Sequence, residues 1–145
     1  MHGLWMVVLM GLFGGAAVGV QAPIAGMMGQ KIGGTAGSMV VHCSGFIFSG
    51  ILLLFRGGEE IAQWRSLSWY MWGAGIFGVI LYQTINITLP RLGAVAMLAL
   101  IIIGQLLAGV AVDALGLFGT IPRPLDLSRI VGMLLLLSGG YLVMR

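Results

Sequence analysis

Apolar residues run along this chain in blocks about the length of a membrane crossing, and charged residues fall between the blocks. Lys31, Arg56, Arg65, Arg91, Asp113, Arg129 and Arg145 stand far apart with long apolar stretches between them. A spanning helix needs roughly 20 predominantly apolar residues at 1.5 Å of rise each. The pattern therefore predicts five transmembrane helices, at about residues 3–20, 35–55, 67–89, 92–115 and 128–144, forming a single domain over residues 1–145. The fold class expected is all-α integral membrane. The connection from Gln21 to Gly34 contains Pro23 and several glycines and is moderately apolar. It continues the first helix past a proline kink, or else enters a cavity as irregular backbone, since unpaired amides are not tolerated against lipid.

Composition reinforces the pattern. Apolar residues make up 59% of the chain, charged residues 8%, and the mean hydropathy is +1.09, a surface that water cannot cover. Five helices use nearly all of the 145 residues, which leaves no room for a soluble catalytic domain. The high isoelectric point reflects scarce acids, and the seven Lys and Arg residues are scattered singly, so nucleic-acid binding has no support. The lone Cys43 excludes an intrachain disulfide. The amino-terminal stretch up to Ala22 has the apolar core of a secretory signal. However, no Lys or Arg precedes it, cleavage after Ala22 would leave Pro23 first, and the apolar run is long enough to span, so it is read as the first helix. Trp5, Trp64, Trp69, Trp72 and Tyr141 lie near helix ends, where amphipathic rings favour the headgroup level and contact membrane lipids.

Charge also bears on orientation. With five spans, Arg56, Arg65, Arg123 and Arg129 fall on one side and Lys31, Arg91 and Arg145 on the other. Four against three is almost no bias, whereas a fixed orientation follows a clear Lys/Arg excess on one face. The expectation is a chain that inserts both ways and pairs antiparallel with itself, or one that pairs with an oppositely oriented paralogue.

Polar groups within apolar runs are costly in hydrocarbon and are candidates for solute contact, with interhelical hydrogen bonding as the plainer role. Gln21, His42, Gln83, Asn86 and Gln105 stand out. Gln105 follows Gly104 in mid-helix, where a small neighbour admits a substrate or another backbone. Gly75, Gly78, Tyr82 and Asn86 form a stripe on the third helix, so Tyr82 and Asn86 line a cavity or complete a packing face. His42 shares a face with Gly45 and Ser49 and titrates near neutrality, fitting proton coupling or a neutral ring bonded to a carbonyl. Asp113 lies about two turns after Gln105 and serves as a cation or proton gate, pairs with Arg123, or caps the turn. Gly11, Gly15 and Gly19 make a four-residue repeat, and Gly104 with Ala108 repeats it, the pattern of close helix packing. No phosphate loop, metal-spaced Cys/His cluster or nucleophilic triad is present in the sequence, so neither enzyme chemistry, a metal nor a cofactor is expected.

The segment Leu89 to Val143 resembles the YdcZ-like branch of the drug/metabolite transporter superfamily. The likeness rests on Pro90-Arg91-Leu92-Gly93, on Gly104-Gln105, and on Asp113 followed by Gly116, Phe118, Gly119, Pro122, Arg123 and Pro124. Gln21, Gly29 and the Gly-Thr-Ala-Gly-Ser run at Gly34 to Ser38 extend it toward the amino terminus. One departure stands out: the family often has an asparagine shortly after the first glutamine, and here the stretch reads Ala22-Pro23-Ile24-Ala25-Gly26. Five-helix units of this superfamily look like half-transporters, and longer members resemble two such units fused as inverted repeats. The resemblance implies a multi-pass protein of the bacterial inner membrane that assembles as an antiparallel ten-helix dimer. It would move a small polar or cationic solute, with Gln105, Asn86, Gln21 and Tyr82 at the solute and Asp113 and His42 as coupling or gate residues. The alternative is a non-transporting accessory subunit docked in a larger membrane complex. No buried glutamate in the first helix, the mark of small multidrug-cation antiporters, is found in this sequence.

Overall fold

The computed structural model describes residues 2–145, and the described residues are helical, without a strand. Helix α1 spans His2–Ile32, α2 Gly34–Phe55, α3 Ala74–Leu115 and α4 Leu127–Val143. Short 3-10 turns occupy Ile61–Ser66, Trp69–Gly73 and Leu117–Gly119. Gly3–Ile32, Gly34–Phe55 and Trp69–Leu115 are long and apolar enough to cross a membrane, whereas α4 is a shorter apolar helix of 17 residues. Their apolar side chains are almost wholly unburied within the chain, with Phe13 and Phe46 each 79% exposed, so lipid or another protein must cover them.

Several boundaries differ from the sequence expectation. The first helix does not stop at Val20 but runs through Pro23 to Ile32. A proline removes one helical hydrogen bond, and here Ala22, Ala25 and Gly26 around it are buried, so packing holds the helix past the break. The whole turn to α2 is Gly33, at φ 91° and ψ 147°, a conformation close to one reserved for glycine. The third helix begins at Ala74 rather than at residue 67. Leu67 and Ser68 are extended, and the aromatic residues on either side fold into the two 3-10 turns, joined by an edge-to-face contact of Trp64 and Trp72 at 5.4 Å. The helices expected at 67–89 and 92–115 form one element, α3, interrupted not at Pro90 but at Gly93, where φ is 75° and ψ 171°. Pro90 keeps a helical backbone at the cost of one bond, while Gly93 alone can adopt the broken geometry.

The chain divides into two compact units, one ending at Pro90 and one spanning Arg91–Arg145. In the first, α1, α2 and the start of α3 meet around buried Ala22, Ala25, Gly26, Gly29, Gly37, Ser38, Tyr82 and Ile85. The contacts pair Gly34 with Asn86, Gly37 with Tyr82 and Gly78 with His42, so α2 and α3 run antiparallel there. In the second unit α4 returns antiparallel to α3. A methyl at Gly140 would lie 2.5 Å from Ile103 Cδ1, and Arg129 meets Asp113 at the other end.

Candidate functional site

The first unit brings polar side chains together in steps along the α2–α3 contact, each seated in a notch left by glycine. At the α1–α2 turn, Asn86 fits against Gly29 and Gly34; a methyl at Gly34 would stand 2.7 Å from Asn86 Nδ2 and 2.5 Å from Gln83 Oε1. Gln83 Nε2 donates to Thr35 Oγ1 at 3.4 Å. Gln30 Nε2 donates both to the Asn86 backbone carbonyl, at 2.9 Å, and to Asn86 Oδ1, at 3.0 Å. The reason lies four residues on: Pro90 has no N–H to give the Asn86 carbonyl, and an orphaned carbonyl near lipid must find another donor.

One turn deeper, the buried Tyr82 hydroxyl donates to the Ala25 carbonyl at 2.7 Å and closes against Gly37. A further turn along, about 12 Å from the start of α2 at 1.5 Å per residue, His42 Nδ1 lies 2.7 Å from the Ser38 carbonyl and 3.3 Å from Ser38 Oγ. A carbonyl can only accept, so Nδ1 carries a proton and donates it there. Nε2 points toward Gly78, 2.7 Å from where a methyl there would stand. This ladder holds uncharged amides, hydroxyls and one titratable ring. It offers hydrogen-bond donors and acceptors at successive depths along the helices.

Of the residues singled out from sequence, Asn86, Gln83, Tyr82 and His42 are brought into this ladder. Gln21 is exposed on α1, and Gln105 is exposed on α3 in the second unit; the side chain of neither makes a hydrogen bond to another described residue. Among the described residues nothing lies within 4 Å of a methyl built at Gly11, Gly15, Gly19 or Gly104, and Ala108 is exposed. The glycines that admit a close side chain within a unit are Gly26, Gly29, Gly34, Gly37, Gly78 and Gly140. Gln30 was not singled out by the sequence reading, although the spacing of Asn86 and Pro90 was its signal.

Asp113 pairs with Arg129 at 3.6 Å, both side chains roughly one-third exposed, rather than with the side chain of Arg123. Arg123 contributes its backbone N–H, which donates to the Asp113 carbonyl at 2.9 Å. Thr120 Oγ1 donates to the Val112 and Leu117 carbonyls, and Gly116, Phe118 and Gly119 all have positive φ. The Asp-to-Arg motif is thus the stop of α3 and the tight turn that follows it. Asp126 then caps α4 by accepting from the Arg129 N–H at 2.8 Å, with the Ser128 hydroxyl donating at 2.9 Å. The Arg129 N–H, foremost, and the Ser128 hydroxyl hold its carboxyl below the usual carboxylate range.

A family model described as "Putative inner membrane exporter, YdcZ" matches residues 6–142. No curated protein and no solved structure matches the chain. The family match takes in every rung of the ladder, the Gly93 break and the Asp113 turn, and the chain belongs to the YdcZ family of the drug/metabolite transporters.

Proposed function

We propose that this protein is one half of an alternating-access exporter, in which two protomers of opposite orientation enclose a path for a small polar or cationic solute. Membership of an exporter family supports a transport role. The observation that carries the finer reading is the ladder from Gln30 and Asn86 through Tyr82 to His42, polar groups set in glycine notches within otherwise apolar helices. Such groups are expensive at membrane depth and mark solute or proton paths.

On this reading each protomer crosses five times. At 1.5 Å per residue α3 is about 63 Å long, roughly twice the hydrocarbon thickness, and the Gly93 break divides it into two spans. With α1, α2 and α4 that makes five. The near-equal Lys/Arg counts favour pairing in opposite orientations, and the bare small-residue face at Gly11, Gly15 and Gly19 is available to a partner helix. Asn86 and Tyr82 contact the solute, with Gln105 and Gln21 exposed toward the partner copy, and His42 Nε2 takes the coupling proton. Asp113, already paired with Arg129, gates the second unit's end by breaking and remaking that pair.

The test is counterflow in proteoliposomes across solute classes, with the detergent-extracted particle sized in parallel. Solute-dependent flux from a species of two protomers supports the proposal. A monomer, or a stoichiometric complex with unrelated subunits and no flux, overturns it.

A further inference from the structure

The bonding of Gln30 says what kind of group the outer rung is shaped to hold. Pro90 leaves the Asn86 carbonyl without its helical donor, and the Asn86 side chain sets a second oxygen beside it. Both oxygens are satisfied by one nitrogen, Gln30 Nε2, at 2.9 and 3.0 Å. The two hydrogens of that amide give each acceptor an N–H of its own, a better-aligned arrangement than one N–H shared between both. The fork is therefore matched to an NH2-bearing group, and the group now in it belongs to an exposed side chain near the end of α1, in a rung whose other members are Gly29, Gly34, Thr35 and Gln83.

We propose that the Asn86 fork is a recognition site for a primary amide or primary amine, and that Gln30 occupies it as a built-in stand-in which such a solute displaces. This rests on the reading of Asn86 as a solute contact and names the chemistry of that contact. Gln30 then acts as an internal competitor: it satisfies the orphaned carbonyl when the site is empty and lowers the apparent affinity for the solute. Lys31, the next residue, is also exposed, so the neutral amide and the cationic amine differ in what they meet there. The donor geometry is common to both.

The experiment measures binding to the purified full-length protein by saturation-transfer NMR. Benzamide is compared with N,N-dimethylbenzamide, and benzylammonium with benzyltrimethylammonium. Each pair shares a ring and a charge, but the second member has no N–H. The wild type is expected to bind the N–H member of at least one pair in preference to its methylated partner, and the two pairs separate the amide source from the amine. Gln30→Ala is expected to bind that member about fivefold more tightly, the worth of one net hydrogen bond removed from competition. Asn86→Leu is expected to lose the preference. Gln30→Met keeps the side-chain length without a donor and replaces Gln30→Ala should that variant unfold. The proposal is overturned by equal binding within both pairs, by no binding in wild type and variant alike, or by a folded Gln30 variant that binds no more tightly. It is also overturned if both Gln30 variants unfold, which would make the residue purely structural. Because the readout is binding and not flux, a protein that transports without this preference, or shows it without transporting, separates the two proposals.

Discussion

The Tyr82 hydroxyl is the most buried polar group of the ladder's middle rung, and its bond to the Ala25 carbonyl crosses between helices in the least exposed part of the first unit. Interhelical hydrogen bonds in membrane proteins average only about 0.6 kcal/mol, against about 1 kcal/mol for ordinary protein hydrogen bonds. Tyr82→Phe should therefore cost between about 0.6 and 1 kcal/mol in a reversible detergent unfolding titration, and leave the fold intact. Adding one carbon at Gly37 is expected to cost more. A methyl there collides with that same hydroxyl, and overpacking of this kind costs about 1–3 kcal/mol. Gly15→Ala is the control, since nothing lies within 4 Å and alanine favours helix over glycine by up to about 1 kcal/mol. The same titration should rank the three variants Gly37→Ala, Tyr82→Phe, Gly15→Ala, from least to most stable. Asp126 gives the residue-scale prediction in pH. Its carboxyl titrates below the ordinary 3.8, so the cap on α4 is fully present above that value and is lost as pH falls through the depressed one. The protection factor of the amides in the first turn of α4, which is exchange relative to the intrinsic rate at each pH, should stay flat above the carboxylate range and fall only beneath it. In Asp126→Ala it should be low at every pH.

At the scale of elements, two glycines decide where helices stop. Gly33 and Gly93 sit at φ 91°, ψ 147° and φ 75°, ψ 171°, in or bordering a region that residues with a Cβ essentially do not visit. Gly93→Ala should cost on the order of 1–3 kcal/mol in the same unfolding titration although no atom lies within 4 Å of the added methyl, because the cost is in the backbone and not in a contact. These breaks also explain what could be read from the sequence. The apolar blocks between charges marked α2 and α4 to within about a residue, because block length is a property of composition along the chain. The end of α1 was left open, because Pro23 and the glycines after it read locally either as a continued helix or as an irregular connection, and the helix continues where Ala22, Ala25 and Gly26 pack. The start of α3 was misplaced because Trp69, Tyr70 and Trp72 are as apolar as a span, yet fold into 3-10 turns. For the site, Tyr82, Asn86 and His42 announced themselves as polar groups in apolar runs. The partners that give them meaning did not: Gln30 lies 56 positions from Asn86, and the Ala25 carbonyl has no signature in sequence at all. The small-residue faces are legible in the same partial way, since a four-residue repeat shows which face is small and not what faces it.

For the whole molecule, the unresolved balance of Lys and Arg is itself a functional prediction. Under the five-span reading, Arg56, Arg65, Arg123 and Arg129 oppose Lys31, Arg91 and Arg145, four against three, and orientation follows from that difference. A pair of variants can bias it each way. Gln63→Lys with Ser66→Lys raises the count to six against three. Arg65→Gln with Arg123→Gln and Met144→Lys changes it to two against four. None of these positions lies in the ladder, so each variant should fold and keep its polar rungs. If the working unit needs protomers of opposite orientation, each variant expressed alone should insert one way and transport little, while the two expressed together should recover flux toward the wild-type level. Labelling of single cysteines placed at Gly57 and at Thr120 in a Cys43→Ser background reports the orientation directly, since both loops fall on the same side and must switch sides together between the variants. Full activity from one variant alone, with its loops labelled from one side only, would rule out the antiparallel arrangement and leave the ladder to work within a single orientation.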